Sequence, residues 1–149
     1  NRIVDRVVRH NARVKFLFIV AYPPVKTVHP HVDYTDFIDH YPNVLKQADA
    51  VISPMLRGHG MPTKVLEALA CGKPTIATPT GARSICFCSK LLHVCNIGEM
   101  PNVICRVLRQ KPVVDLHEFN RLKLRYEWKN IIAPLCDVIE KQSFNNTIP

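Results

Sequence analysis

The segment "PMLRGHGMPTKVLEALACGKPTIATPTGAR", residues 54–83, contains the most distinctive pattern of this chain. Glycine and proline are concentrated in 54–62, and a helical pattern of apolar residues follows directly. Thr63 is suited to cap the start of that helix, and Gly72 is suited to end it. The apolar positions of the helix are Val65, Leu66, Leu69 and Ala70. The pattern therefore predicts a loop, a short helix over 63–71 and then a strand.

Short apolar runs on both sides of this segment predict strands that are buried in a sheet. The run "VKFLFIVAY" at 14–22 has the continuous hydrophobicity of a parallel strand that is covered on both faces. The other predicted strands lie near Val32, at 49–55, at 73–80 and within 86–96.

Helical periodicity occupies the intervals between these strands. Thr35 or Asp36 is expected to cap the second helix, which Pro42 is expected to strain or divide. Strands that alternate with helices indicate βαβ units, and hence an α/β fold with a doubly wound, mainly parallel, Rossmann-like sheet. The predicted helices span 2–13, 35–48, 63–71, 100–110 and 120–142, the last of them bent near Pro134.

The length and organisation of the chain predict one domain over residues 1–149. No repeat, low-complexity segment or linker pattern interrupts it, and 143–149 is expected to be a frayed tail. Because the sequence begins at Asn1 without a signal-peptide pattern, we expect a processed chain or a fragment of a longer protein.

The basic character of the chain leaves several partners open. The net charge is +8, and Arg2, Arg6, Arg9 and Arg13 share one predicted helix face. This face is interpreted either as a solvated surface or as a contact surface for an anionic membrane or an acidic partner. Nucleic acid is the least favoured partner, because the basic residues are scattered and few aromatic residues lie among them.

Cysteine and histidine show no metal-ligand pattern. None of the six cysteines forms a C-x-x-C pair, and the seven histidines form no H-E-x-x-H motif, so no metal site is predicted. The apolar neighbours of the cysteines predict buried, reduced thiols. We therefore expect a cytoplasmic protein, with peripheral attachment to a membrane as one option.

The glycine-rich loop 54–62 is expected to bind an anionic ligand. Ligands of a doubly wound sheet lie beyond the carboxyl ends of its strands, where this loop leads from a strand into a helix. Free N–H groups and the helix dipole there favour a phosphate, and Gly58 and Gly60 allow a close approach of the backbone. Glu67, one turn into the helix, can accept hydrogen bonds from sugar hydroxyls. A purely structural turn is the alternative, since Thr63 replaces the third glycine of G-x-G-x-x-G.

The segment "ADAVISPM…GHGMPTKVLEALACGKPTIATPTGA" resembles the donor-binding half of GT-B glycosyltransferases of family 4, a group of retaining enzymes. The features that match the family are a strand that ends in Pro54, a glycine loop, the run "KVLEALACGKP" and a second glycine loop at Gly81. The closing helix "YEWKNIIAPLCDVIEK" is also similar to that of the family, with Trp128 as its aromatic anchor. The resemblance extends over 14–142 and is most specific at 48–83.

This resemblance implies a site for a nucleoside-diphosphate sugar. It implies that Glu67 binds the ribose hydroxyls and that the backbone of 60–64 surrounds the diphosphate and the sugar. Lys64 either touches a phosphate or is an exposed helix lysine. The family has no strict need for a metal, because the helix dipole and basic side chains neutralise the leaving diphosphate. No other cofactor is implied. The expected donor-binding residues are Pro54, Gly58, Gly60, Met61, Pro62, Thr63, Lys64, Glu67 and Gly81.

The expected catalytic residues are His59 and Glu67. Members of the family often carry a glutamate eight residues before the one that matches Glu67, and His59 stands at that position here. His59 either donates a hydrogen bond to a sugar hydroxyl or a developing charge, or caps the loop. The basic pair that clamps the diphosphate in the family has no convincing counterpart, because Arg2 and Arg6 lie in a different context. The first strand of the family domain is also expected to be missing.

GT-B enzymes place a second Rossmann-like domain before the donor domain, so an acceptor domain is expected in the parent chain or in a partner subunit. The leading hypothesis is the donor-binding domain of a retaining glycosyltransferase with an unknown acceptor, inactive when isolated. The alternatives are a non-catalytic nucleotide-sugar-binding subunit and a basic Rossmann-like interaction domain. The first two predict nucleotide binding, whereas the third predicts salt-sensitive binding to nucleic acid or anionic lipid.

Overall fold

The computed structural model describes residues 2–20, 28–36, 38–58, 60–83, 85 and 89–145. The chain divides into two compact units, Asn1–Val113 and Val114–Pro149, and each is described by itself.

The strands of the first unit are short and pair in parallel. They form a two-stranded sheet of order β1-β2 and a three-stranded sheet of order β3-β4-β5. The parallel pairing confirms the predicted α/β, Rossmann-like class, although the described strands make two small sheets and not one. The strands are β1 (Phe16–Ile19), β2 (Val32–Thr35), β3 (Val51–Ser53), β4 (Thr75–Ala77) and β5 (Leu92–Val94).

Helices flank these strands. The helix between β3 and β4 makes a βαβ unit, because the two strands that it connects are parallel neighbours. The helices of the first unit are α1 (Arg2–His10), α2 (Tyr41–Gln47), α3 (Thr63–Ala70) and α4 (Met100–Gln110).

One hydrophobic core joins both sheets of the first unit. Phe16 of β1, Val32 of β2 and Ile76 of β4 belong to the same buried cluster. The helices α1 and α4 pack against each other and supply the rest of that cluster, so the two small sheets share a single apolar interior. The helix residues of the cluster are Val4, Val7, Met100, Val103, Ile104 and Val107.

The end of α3 follows directly from its sequence. The Gly72 N–H donates to the Leu69 carbonyl, and the Lys73 N–H donates to the Ala68 carbonyl, each at 2.9 Å. These two hydrogen bonds form the Schellman motif, which satisfies carbonyls at the end of a helix. The predicted stop at Gly72 is therefore confirmed, and it returns the chain to the sheet at β4.

Two predicted helices begin or end at other residues. The helix predicted over 35–48 begins at Tyr41, because Thr35 belongs to β2 and Pro42 is accommodated in the first helical turn. The helix predicted over 2–13 ends at His10. There the Asn11 side chain accepts from the Arg13 N–H and forms a turn instead.

The second unit consists of α5 (Leu116–Tyr126) and α6 (Trp128–Asn145). One long helix bent near Pro134 was predicted here, and that prediction was wrong, because the break lies at Glu127, whose ψ of 126° is extended. Pro134 lies inside α6. The helix continues to Asn145, and the rest of the expected tail, 146–149, lies outside the described residues. None of the helices in the described ranges has both the length and the apolar composition that crossing a bilayer requires.

Candidate functional site

The carboxyl ends of β3 and β4 are tied together by hydrogen bonds. Ser53 and Ala77, the last residues of the two strands, are register partners. The Thr78 N–H donates to the Ser53 carbonyl at 3.2 Å, and the Thr78 hydroxyl donates to the Met55 carbonyl. The loops that follow the two strands therefore start from one fixed edge, where ligands of parallel sheets bind.

Gly81 closes this edge from the loop after β4. Its N–H donates to the Thr78 hydroxyl at 3.1 Å. A Cβ atom at this position would lie 2.7 Å from the Ser53 carbonyl oxygen and 2.9 Å from the Ser53 hydroxyl oxygen. Only glycine permits such a close approach of the loop to the end of β3. Because Gly81 is buried, it holds the loop against the end of β3 and is not itself part of the exposed surface.

The glycine loop leaves an open surface in front of α3. Gly60 has a φ of +87°, and no heavy atom of the described residues lies within 4 Å of the position that a Cβ would take. Pro54 and Met61 are exposed, whereas Gly58 is half-buried. His59 lies outside the described residues, so its catalytic role stays a prediction.

The first turn of α3 differs in one detail from the sequence-based expectation. Pro62 occupies the N-cap position, and Thr63, which was predicted as the cap, is the first helical residue. The buried Pro62 supplies the carbonyl that accepts from the N–H groups of Val65 and Leu66. Within the described part of the chain, the Lys64 N–H has no acceptor. The start of α3 therefore has an exposed donor at its positive end.

Glu67 stands on the outer side of α3. Its side chain is exposed, while Val65, Ala68 and Leu69 are buried against the sheet. Lys64 is also exposed, and it lies three residues before Glu67. Since residues three apart are neighbours on a helix surface, one exposed face presents both a cation and a carboxylate.

Tyr41, the first residue of α2, lies within electrostatic range of this face. Burial raises the pKa of the Tyr41 phenol, and the charge of the Glu67 carboxylate raises it further, followed by that of Cys71. Sequence analysis did not identify Tyr41, because no local pattern connects it with a helix that begins 22 residues later. Only the packing of the folded chain brings the two groups near each other.

The structure brings most of the predicted donor-binding residues to one edge of the three-stranded sheet. Gly58, Gly60 and Met61 belong to the loop after β3, and Gly81 belongs to the loop after β4. In the described ranges, no group of three or more His, Cys, Asp or Glu side chains is placed to hold a metal ion. The predicted independence of a metal stays a prediction.

A family model described as glycosyl transferases group 1 matches residues 2–109. The chain belongs to this family. The match runs from α1 to the last turn of α4, and it therefore includes the loop, α3 and Gly81. Searches of curated proteins and of solved structures gave no match.

Membership of the glycosyl transferases group 1 confirms the predicted resemblance and supports glycosyl transfer as the general chemistry. The matched residues end before α5 and α6. The predicted similarity of the closing helix, with Trp128 as its anchor, therefore stays a prediction. Trp128 is 72% exposed.

Proposed function

We propose that this glycosyltransferase domain binds the donor, a nucleoside-diphosphate sugar, for a retaining enzyme that transfers the sugar to an acceptor. The observation that carries the proposal is the edge formed by Ser53, Thr78 and Gly81, from which the glycine loop leads into α3. A fixed edge with a helix N-terminus beside it is the arrangement that binds phosphates in parallel α/β folds.

The diphosphate is assigned to the start of α3. The exposed Lys64 offers its backbone N–H and its ammonium group there, and the positive φ of Gly60 turns the loop without a side chain in the way. As the sugar leaves the nucleotide, negative charge develops on the diphosphate. Preorganised donors stabilise that charge more in the transition state than in the ground state. This chemistry has no strict need for a metal.

The ribose is assigned to Glu67. Glu67 lies three positions after Lys64, which is about 4.5 Å along a helix axis. That spacing suits a ligand whose diphosphate lies at the helix end and whose ribose lies one turn further. The exposed carboxylate accepts hydrogen bonds from two neighbouring hydroxyls.

The acceptor and the remaining catalytic groups are assigned to a second domain, in the parent chain or in a partner subunit. Two parts of this proposal rest on the family resemblance: the retention of configuration and the involvement of His59. The isolated chain is expected to bind the donor without transferring its sugar. Positioning of two substrates in one closed cleft supplies much of the rate in such reactions.

Calorimetric titration of the chain with UDP, GDP and ADP tests the proposal. We expect one nucleotide to bind, and Glu67→Gln to weaken that binding about tenfold or more, because the ribose loses hydrogen bonds to a charged acceptor. Asp137→Asn, an exposed carboxylate on α6, is the matched control and should bind like the wild type. Failure of all three nucleotides to bind, or equal affinities of the two variants, would contradict the donor site.

A further inference from the structure

A row of exposed arginines covers the outer side of α1. Arg2, Arg6 and Arg9 are exposed, whereas Val4 and Val7 are buried. At 3.6 residues per turn, the three arginines lie on the side of the helix opposite the two valines. The charged side of α1 is therefore directed away from the core.

The helix α4 has the same arrangement. Arg106 and Arg109 are exposed and lie opposite Ile104 and Val107, which are buried. No acidic residue occurs within α4. Both helices thus present arginine at helical spacing on their outer sides.

The two arginine rows lie on neighbouring helices. The helices α1 and α4 pack against each other, and their apolar sides belong to the same buried cluster. The Arg6 Nη1 also donates to the carbonyl of Gly98, just before α4, at 3.0 Å. Arg6, in the middle of the α1 row, therefore lies beside the start of α4. We name the two rows together the α1–α4 arginine face, formed by Arg2, Arg6, Arg9, Arg106 and Arg109.

Little negative charge balances the α1–α4 arginine face. In the described ranges, none of its arginines takes part in an ion pair. Asp5 of α1 lies 3.2 Å from His29, and Glu99 accepts from the Asn96 N–H at the start of α4. The chain adds Arg13 beyond α1 and Lys111 beyond α4, both exposed. The surface therefore attracts a polyanion over most of its extent.

We propose that the α1–α4 arginine face binds the anionic headgroups of a lipid bilayer. A bilayer presents a broad layer of phosphate groups, and the planar guanidinium group suits phosphate oxygens. Neither helix contains the phenylalanine, tyrosine or tryptophan on which a nucleic-acid base could stack. The imidazole of His10 is held against its own helix, where Nδ1 lies 2.8 Å from the Arg6 carbonyl oxygen. Ile97, next to Gly98, is 37% exposed at the margin of the face. An apolar side chain beside arginines inserts into the headgroup boundary, which favours lipid over nucleic acid.

The expected strength follows from the number of arginines near the bilayer. Each basic residue near an anionic membrane surface strengthens binding about fivefold at moderate salt. Loss of three arginines should therefore weaken binding by about two orders of magnitude. Because the attraction is between exposed charges, it should also decline steeply as salt shortens the Debye length.

Flotation of the purified chain with lipid vesicles tests this proposal. The vesicles are phosphatidylcholine alone or phosphatidylcholine with about 30% phosphatidylserine, at about 0.05 M and about 0.5 M salt. We expect binding only to the anionic vesicles at low salt. The variant Arg2→Gln/Arg9→Gln/Arg106→Gln should lose about 100-fold in affinity. Circular dichroism checks that it is folded like the wild type.

The matched control is Lys46→Gln/Arg57→Gln/Arg83→Gln, which removes the same charge from exposed residues outside the α1–α4 arginine face. It should lose far less affinity. Equal losses in the two triple variants would overturn the proposal, because net charge and not this face would then drive binding. Equal binding of the wild type to neutral and anionic vesicles would overturn it as well.

A final comparison distinguishes lipid from nucleic acid. Ile97→Ser should weaken binding to anionic vesicles several-fold, since it removes apolar surface from the headgroup boundary, and should leave any binding to RNA unchanged. Tighter binding of the wild type to single-stranded RNA than to anionic vesicles at equal salt would overturn the lipid assignment and identify nucleic acid as the partner.

Discussion

Gly81 lies so close to Ser53 that a methyl group on its Cα would come within 2.7 Å of the Ser53 carbonyl oxygen. That oxygen also accepts from the Thr78 N–H, so the backbone at the end of β3 is held on two sides. The contact fixes the loop after β4 against the strand before the glycine loop. A glycine placed there by close approach thus connects the two loops that form the candidate donor site.

Gly81→Ala should destabilise the first unit by about 1–3 kcal/mol, which is the usual cost of inserting an atom into a packed site. The Ser53 carbonyl is part of a strand and has little room to move, so the loop itself must shift. Donor affinity should fall with it. Urea unfolding followed by circular dichroism measures the stability, and nucleotide titration measures the affinity.

Gly98→Ala is the control for this substitution. A Cβ at Gly98 would meet no heavy atom of the described ranges within 4 Å. Its stability should therefore lie within about 0.5 kcal/mol of the wild type. If the two alanine variants were equally stable, the contact between Gly81 and Ser53 would not constrain the fold.

The fold was predictable where the sequence has a strong local pattern. The helix predicted over 100–110 is confirmed as α4 with the same first and last residues. Its apolar residues recur at helical spacing, and its arginines lie on the other side. The break at Glu127 was not predictable in the same way. Asn130 bonds the Leu124 carbonyl across the break, and such a contact depends on the folded turn.

The site was predictable as a loop but not as a three-dimensional arrangement. The glycines marked where the backbone turns, and the alternation of elements indicated the edge of the sheet. The contact between Ser53 and Gly81 was not visible in the sequence, because the two residues are 28 positions apart. The proximity of Tyr41 to Glu67 was likewise a result of tertiary packing, which a single sequence does not encode as a local pattern.

The raised pKa of Tyr41 should make the protein less stable at alkaline pH. Burial and the Glu67 carboxylate hold the phenol neutral in the folded state, above its ordinary pKa of 10.0. The folded state therefore keeps a proton that the unfolded state releases. The corresponding stability is present below pH 10 and is lost as the pH rises through the folded-state pKa. Tyr41→Phe should show a flatter decline of unfolding free energy in this range.

Glu67→Gln should lower the pKa of Tyr41 towards its ordinary value, because it removes the repulsion between the two negative charges. The difference in ultraviolet absorbance between this variant and its Tyr41→Phe derivative isolates the titration of that one phenol. Asp137→Asn should leave the titration as it is. An unchanged pKa in Glu67→Gln would show that the two side chains are not near each other.

His93 of β5 should make the protein less stable at acid pH. Burial lowers the pKa of its imidazole below 6.5, and the charge of Arg106 lowers it further. Among the residues that the structure describes, its buried Nε2 has no hydrogen-bond partner. The unfolded state therefore binds a proton at a higher pH than the folded state does. The corresponding stability is present above pH 6.5 and is lost as the pH falls through the folded-state pKa.

His93→Leu should remove this acid dependence, because an apolar side chain leaves no buried nitrogen to protonate. Unfolding by urea at about pH 7.5 and about pH 5 measures the difference. Arg106→Gln should raise the pKa of His93 in an NMR titration, since it removes the neighbouring positive charge. The same loss of stability at acid pH in wild type and His93→Leu would rule out His93 as its source.

Gly60→Ala separates backbone conformation from packing at the candidate site. No heavy atom in the described part of the chain lies within 4 Å of the position that its Cβ would take, so the substitution creates no steric clash there. The φ of +87° nevertheless disfavours alanine by about 1–2 kcal/mol. The loop should respond by relaxing to a negative φ, which moves its N–H groups away from the assigned diphosphate. Nucleotide affinity should fall, while Gly60→Asn, whose side chain tolerates positive φ, should retain more of it. Wild-type affinity in Gly60→Ala would mean that the conformation of this loop does not contribute to donor binding.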